Sequence, residues 1–180
     1  MAARLAINIA QPTLSRCDDI DSLDIDADSL SAMSVAEDQV GFAMEVFAAR
    51  SFGHATLDIS DRHKTTSQRL ISLSGAEDNR AKTYDVTQLL ANPNTIVDSA
   101  TGLYAPTDAV LEMNCARSEI AAVAASSTSS NASTKSQTTS DDHSDDSREQ
   151  SLGMLASMIA DRVDLALDWG YPAFDEALFA

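Results

Sequence analysis

His54, Asp58, Asp61 and His63 are the side chains in this sequence best suited by type to hold a metal ion. Imidazole nitrogens and carboxylate oxygens are the ligands of zinc and manganese sites, and on an extended strand residues four apart face the same side. Residues 54–60 alternate His, Thr, Asp and Ser with Ala55, Leu57 and Ile59, which predicts a half-buried strand carrying His54 and Asp58 on its wet face. The spacing follows no established metal signature, and polar residues on such a face need no ligand to account for them. The expected metal and cofactor complement is therefore none, with His54, Asp58 and His63 as weak candidates.

Other chemistry fares worse. Asp24, Asp26 and Asp28 imitate the opening of a calcium loop, but Ser29 stands where the turn glycine belongs and Val35 where a bidentate glutamate is needed. No G-x-S-x-G elbow and no glycine-rich phosphate loop occurs, and six glycines in the whole chain leave little material for one. No catalytic residue is assigned, and a metal-dependent enzyme is the least supported class. Thr139, Ser140 and Ser144 lie among Asp141, Asp142, Asp145 and Asp146, a setting acidophilic kinases favour, and phosphates there would extend the segment further.

The elements that would position these residues come from a chain of 180 residues with 12 basic and 28 acidic side chains. The formal net charge of −16 argues against direct nucleic-acid binding and against anionic membrane surfaces. The 44 % hydrophobic content includes much alanine and only 5 % aromatic residues, so the core should be small. Cys17 and Cys115 make neither a disulfide framework nor a metal site by themselves. Lacking a secretory signal or a long apolar run, the chain is expected to be soluble and intracellular, cytoplasmic or nuclear, with export by a signal-less route left open.

Four regions are expected. Residues 1–33 read as an acidic, largely disordered arm, with Ile20, Leu23 and Ile25 as apolar beads among aspartates. Residues 34–124 read as a small helical or α+β region. Within it Ser34 and Glu37 have the spacing of a capping box opening a helix that closes near Gly53. Residues 54–60 and 69–74 are expected to pair as strands, Asp85 to cap a short helix, and residues 95–97 to form a brief strand. A longer helix begins at Pro106 or Thr107, and Arg117 interrupts its apolar stripe. Residues 125–150 read as a flexible Ser/Thr-rich acidic linker.

Residues 151–180 form an amphipathic acidic helix and aromatic tail, stopped by Gly170 and Pro172. The fold class is thus mainly α, with a small α+β region, extensive disordered segments, and a C-terminal amphipathic helix after the tether. A helix presented that way suits a groove on a protein partner with a basic rim, contacted by Leu152, Leu155, Ile159, Val163, Trp169, Tyr171, Phe174, Leu178 and Phe179. The expected function is a non-catalytic acidic adaptor or regulatory protein. The alternatives are that the helix packs back on its own aromatic-poor core, or that the chain is a structural or assembly protein, a viral or secretion-apparatus component ordering as a homo-oligomer.

Overall fold

A computed structural model describes residues 22–133 and 142–172, and the chain is mainly helical. Cys17, Thr139, Ser140, Phe174, Leu178 and Phe179 lie outside the described residues, and Ser144 is described only as backbone within a helix. The elements are α1 (Ala27–Ala48), α2 (Leu57–Ser74), α3 (Thr87–Ala91), β1 (Thr95–Val97), β2 (Tyr104–Pro106), α4 (Thr107–Ser133) and α5 (Asp142–Asp168). Helix α1 packs on α2 and on α4, and α4 packs on α5. No helix among the described residues is long and apolar enough to cross a membrane.

The first helix starts earlier than the capping box suggests. Asp26 is extended and its carboxylate accepts from the Ser29 backbone N–H at 2.9 Å, so it takes the N-cap, and Asp28 sits favourably in the first turn. Ser34 and Glu37 fall inside the helix and are fully buried. The acidic arm is therefore ordered from its last residues: Leu23 and Ile25 pack against Leu30 and Met33, and the Asp24 N–H donates to Ser151 Oγ at 2.9 Å.

The hairpin expected from residues 54–60 and 69–74 is absent: residues 57–74 form the continuous helix α2, and residues 54–56 lead into it. Thr56 caps it through the Ile59 N–H, and Gly75 closes it with φ 63°. The difference has a physical cause. The buried face of α2 is carried by Ser60, His63, Ser67 and Leu70, a helical spacing of mostly polar residues that apolar periodicity does not register. Small groups let α1 and α2 approach closely. Ser60 Oγ donates to the Gly41 carbonyl at 2.7 Å, and Ser67 Oγ to the Ser34 carbonyl at 2.7 Å. A Cβ at Gly41 would lie 2.9 Å from Lys64 Cγ and 3.1 Å from His63 Cβ.

Strands β1 and β2 are antiparallel, with Ile96 opposite Ala105 and Val97 opposite Tyr104. The turn from Asp98 closes through the Gly102 N–H donating to the Asp98 carbonyl at 2.7 Å, as the sequence indicates. Helix α4 begins at Thr107, where Asp108 accepts from the His54 N–H at 2.6 Å, and Gly53 must be glycine there: its φ is +57° and a Cβ would sit 2.3 Å from Asp108 Oδ2.

The linker expected over 125–150 is helical at both ends, since α4 runs to Ser133 and α5 begins at Asp142. Serine and threonine are weak helix formers, yet packing of the adjoining apolar turns overrides that local preference. Helix α5 lies against its own chain. Leu155 and Met158 join Leu30, Met33 and Leu70 in one apolar cluster, and Ala166, Trp169 and Tyr171 join Val40, Met44 and Met113 in another. Burying a side chain such as Leu155 stabilises by roughly 1.5–3 kcal/mol, which accounts for the helix covering these surfaces.

Candidate functional site

Between these two apolar clusters lies a centre of charge. Helix α1 supplies Glu37, α2 supplies His63, α4 supplies Glu112, Cys115 and Glu119, and α5 supplies Arg162. The α4 residues are three and four apart, which puts all three on one face of that helix. The His63 ring is held from both sides, with Nδ1 2.5 Å from Glu37 Oε2 and Nε2 2.9 Å from Glu112 Oε1. Arg162 donates twice to Glu37 Oε1, from Nε at 3.0 Å and Nη2 at 2.9 Å, and its side chain is only 5 % exposed. Glu37, His63, Glu112 and Glu119 are completely buried.

The charges set one another's protonation. Burial alone would raise Glu37, but Arg162 and His63 outweigh it and hold the carboxyl below its usual range. Burial alone would lower His63, yet the Glu112 and Glu37 carboxylates bring it above its ordinary value against the opposing Arg162. Glu119 has no cation of its own. Burial and then the Glu37 charge push it well up, so it holds a proton. That proton is shared in a hydrogen bond with Glu37, whereas Glu112 Oε2 is without a partner. Burial, with Glu37 and Glu119 behind it, also raises the Cys115 thiol well above its normal range, which leaves the sulfur unactivated as a nucleophile.

Cys115 also borders a cleft of about 340 Å³ between α1, the Tyr84 segment and α4, walled by Val40, Leu89 and Leu111 with Gln39 and Asn114 at its polar points. The thiol thus stands between solvent-accessible space and the ionic centre.

The metal candidates read from sequence do not meet. Only His63 enters the centre. His54 precedes α2, bonded to Asp108 at 2.9 Å and stacked on Trp169 with ring centroids 5.5 Å apart. Asp58 is on the solvent side of α2, paired with Arg62 at 2.8 Å, and Asp61 is exposed. A helix in place of a strand turns these side chains in different directions. Spacing along the chain assigns Glu37 to a cap and does not single out Glu112, Cys115, Glu119 or Arg162. The Glu-x-x-Cys-x-x-x-Glu spacing on a helix with an apolar stripe is the signal that could find three of them.

Among the described residues, those expected to contact a partner are turned inward. Leu155, Trp169 and Tyr171 are buried, and Leu152, Ile159 and Val163 half-buried. The cause is that α1 and α4 offer in the same chain the apolar surface that the helix was expected to find elsewhere. Tyr171 is held further by another polar network. Its hydroxyl donates to Asp98 Oδ2, and Arg117 Nη2 donates to that hydroxyl at 2.8 Å and to Asp98 Oδ2 at 2.9 Å. The acidic partner for Arg117 is thus supplied from within.

No known family matches this chain. Comparison with protein-family models, with curated proteins and with solved structures finds no similarity in any of the three.

Proposed function

We propose that this chain is a non-catalytic acidic adaptor or regulatory protein whose helix α5 detaches to engage a protein partner. The observation that supports it is how α5 is held. Its central tie is the Arg162–Glu37 pair, set in a centre where Glu112 keeps an unpartnered oxygen. A buried ion pair orients more than it stabilises, because desolvation offsets much of the attraction. Such a tie suits a contact that is made and released. Once free, the Leu155, Met158 and Trp169 face would enter a hydrophobic groove, and Asp164 and Asp168 on the exposed side would favour a basic rim.

Native-state hydrogen exchange tests this reading. Amides of α5 between Leu155 and Ala166 should exchange together, ahead of those of α1 between Leu30 and Met44. Equal protection in the two helices would make α5 a permanent wall of the core and overturn the detachable-helix reading.

The assembly alternative draws support from a different feature. Val97 and Tyr104, paired across the hairpin, are 44 % and 75 % exposed, and among the described residues the sheet has only these two strands. An open edge beside exposed apolar side chains is where a second copy could add a strand. Light scattering coupled to size-exclusion chromatography should then find a concentration-dependent oligomer that Tyr104→Lys disperses; a concentration-independent monomer would remove this alternative.

A further inference from the structure

We propose that the buried centre is a binding site for a zinc-like divalent cation, with Glu37, His63 and Cys115 as ligands. The proposal goes beyond the docking reading and does not depend on it. One ligand atom from each of Glu37, His63 and Cys115 lies within 4.8 Å of the others, and all three residues are buried. A thiol, an imidazole and a carboxylate together select a borderline-soft metal such as zinc over magnesium or calcium, which prefer oxygen alone.

The independent observation is Glu112. It is fully buried on the same face of α4 as Cys115, one of its oxygens lies 2.9 Å from His63 Nε2, and the other, Oε2, has no hydrogen-bond partner. Buried polar atoms are nearly always satisfied, so an orphaned carboxylate oxygen beside a ligand cluster marks a place where something binds.

The remaining groups fit the same reading. When one ring nitrogen of His63 binds the cation, the other keeps its carboxylate, the arrangement that fixes the imidazole in metal sites. Arg162 stays on Glu37. Binding sends the Cys115 thiol proton and one His63 ring proton to solvent. The anionic Glu37, Glu112 and Cys115 then balance the dication and Arg162, Glu119 keeps its proton against Glu37, and the neutral ring donates to Glu112. The cleft at Cys115 provides a route inward.

Cobalt(II) is the probe, because a thiolate ligand produces a sulfur-to-cobalt charge-transfer band. The chain contains two cysteines, so the titration uses the full-length protein carrying Cys17→Ser. The expected result is a saturable band that zinc abolishes and magnesium does not. Adding Cys115→Ser should remove the band, and adding Glu37→Gln should weaken cobalt binding at least about tenfold. His54→Ala should leave it unchanged. Absence of the band in protein that is helical by circular dichroism would overturn the proposal without reference to any ligand variant. A band that survives Cys115→Ser would do the same.

Discussion

Two polar networks hold α4 and the end of α5 in place, and they are built on opposite principles. At the hairpin, Asp98, Arg117 and Tyr171 form a compact set in which the carboxylate also accepts from the Ala100 N–H at 3.0 Å and from Thr101 Oγ1 at 3.2 Å. Every polar group there has a partner, and Arg117 also reaches Asn114. In the centre, three carboxyls share one guanidinium and one imidazole, and Glu112 Oε2 remains unpartnered. The hairpin network is complete in itself. The buried centre is not, because low-dielectric burial makes each missing partner costly and a ligand would relieve that cost.

The sharpest way to break this comparison is to remove the cation from each. Arg162→Ala leaves Glu37 and its neighbours without their guanidinium, and should destabilise the chain by about 3–5 kcal/mol in urea unfolding. Arg117→Ala should cost less, about 1.5–3 kcal/mol, since Asp98 keeps its backbone and hydroxyl donors. Equal losses would mean that the two networks do not differ in the way the geometry suggests.

A variant of opposite sign sharpens it further. Glu119→Met removes, at similar volume, a buried carboxyl that has to be protonated beside Glu37, and should stabilise the metal-free chain by about 1–2 kcal/mol. The pH dependence separates the networks as well. The folded pKa of Glu119 is raised, so its penalty is absent below the unfolded value and grows as pH rises toward the folded one. The advantage of Glu119→Met over the natural chain should therefore widen with rising pH. Asp98 is the reverse case: burial raises it, but Tyr171 and Arg117 outweigh burial and lower it. Its contribution is present above the unfolded pKa and is lost as pH falls through the folded one. The gap between the natural chain and Asp98→Asn should close in acid, a trend that urea unfolding at a series of pH values would check.

The smallest effect belongs to the surface. Tyr104→Ser, at an exposed hairpin position, should change unfolding free energy by less than about 0.5 kcal/mol. A larger loss in dilute solution would show that Tyr104 supports the hairpin itself.

Local signals are legible where the backbone and nearby side chains decide the outcome. The Thr107 start of α4, the strand at residues 95–97, the turn before Gly102 and the Gly170–Pro172 stop all rest on short-range conformational preferences. Asp85 is not the N-cap of α3: Val86 takes that position, and the Asp85 carboxylate accepts from the Thr87 N–H at 2.8 Å from one residue further out. The α2 segment is not legible, because its buried face is built from Ser60, His63 and Ser67, and a polar face reads as solvent-exposed until another polar face is known to meet it. The same blindness hides the centre: His63 stands out by its type, but the sequence groups it with His54 and Asp58, its neighbours along the chain and not in space.

From the amino-acid order alone come a mainly helical, strongly acidic chain and a C-terminal helix with one apolar and one acidic side, since periodicity and charge are properties of consecutive residues. Only the tertiary structure decided what that helix covers and which charges meet inside. Arg162 and Glu37 are 125 residues apart, and no local preference encodes their pairing. It follows from how α1, α4 and α5 pack, because an interior that excludes water forces buried charges to find one another or leaves them wanting a ligand.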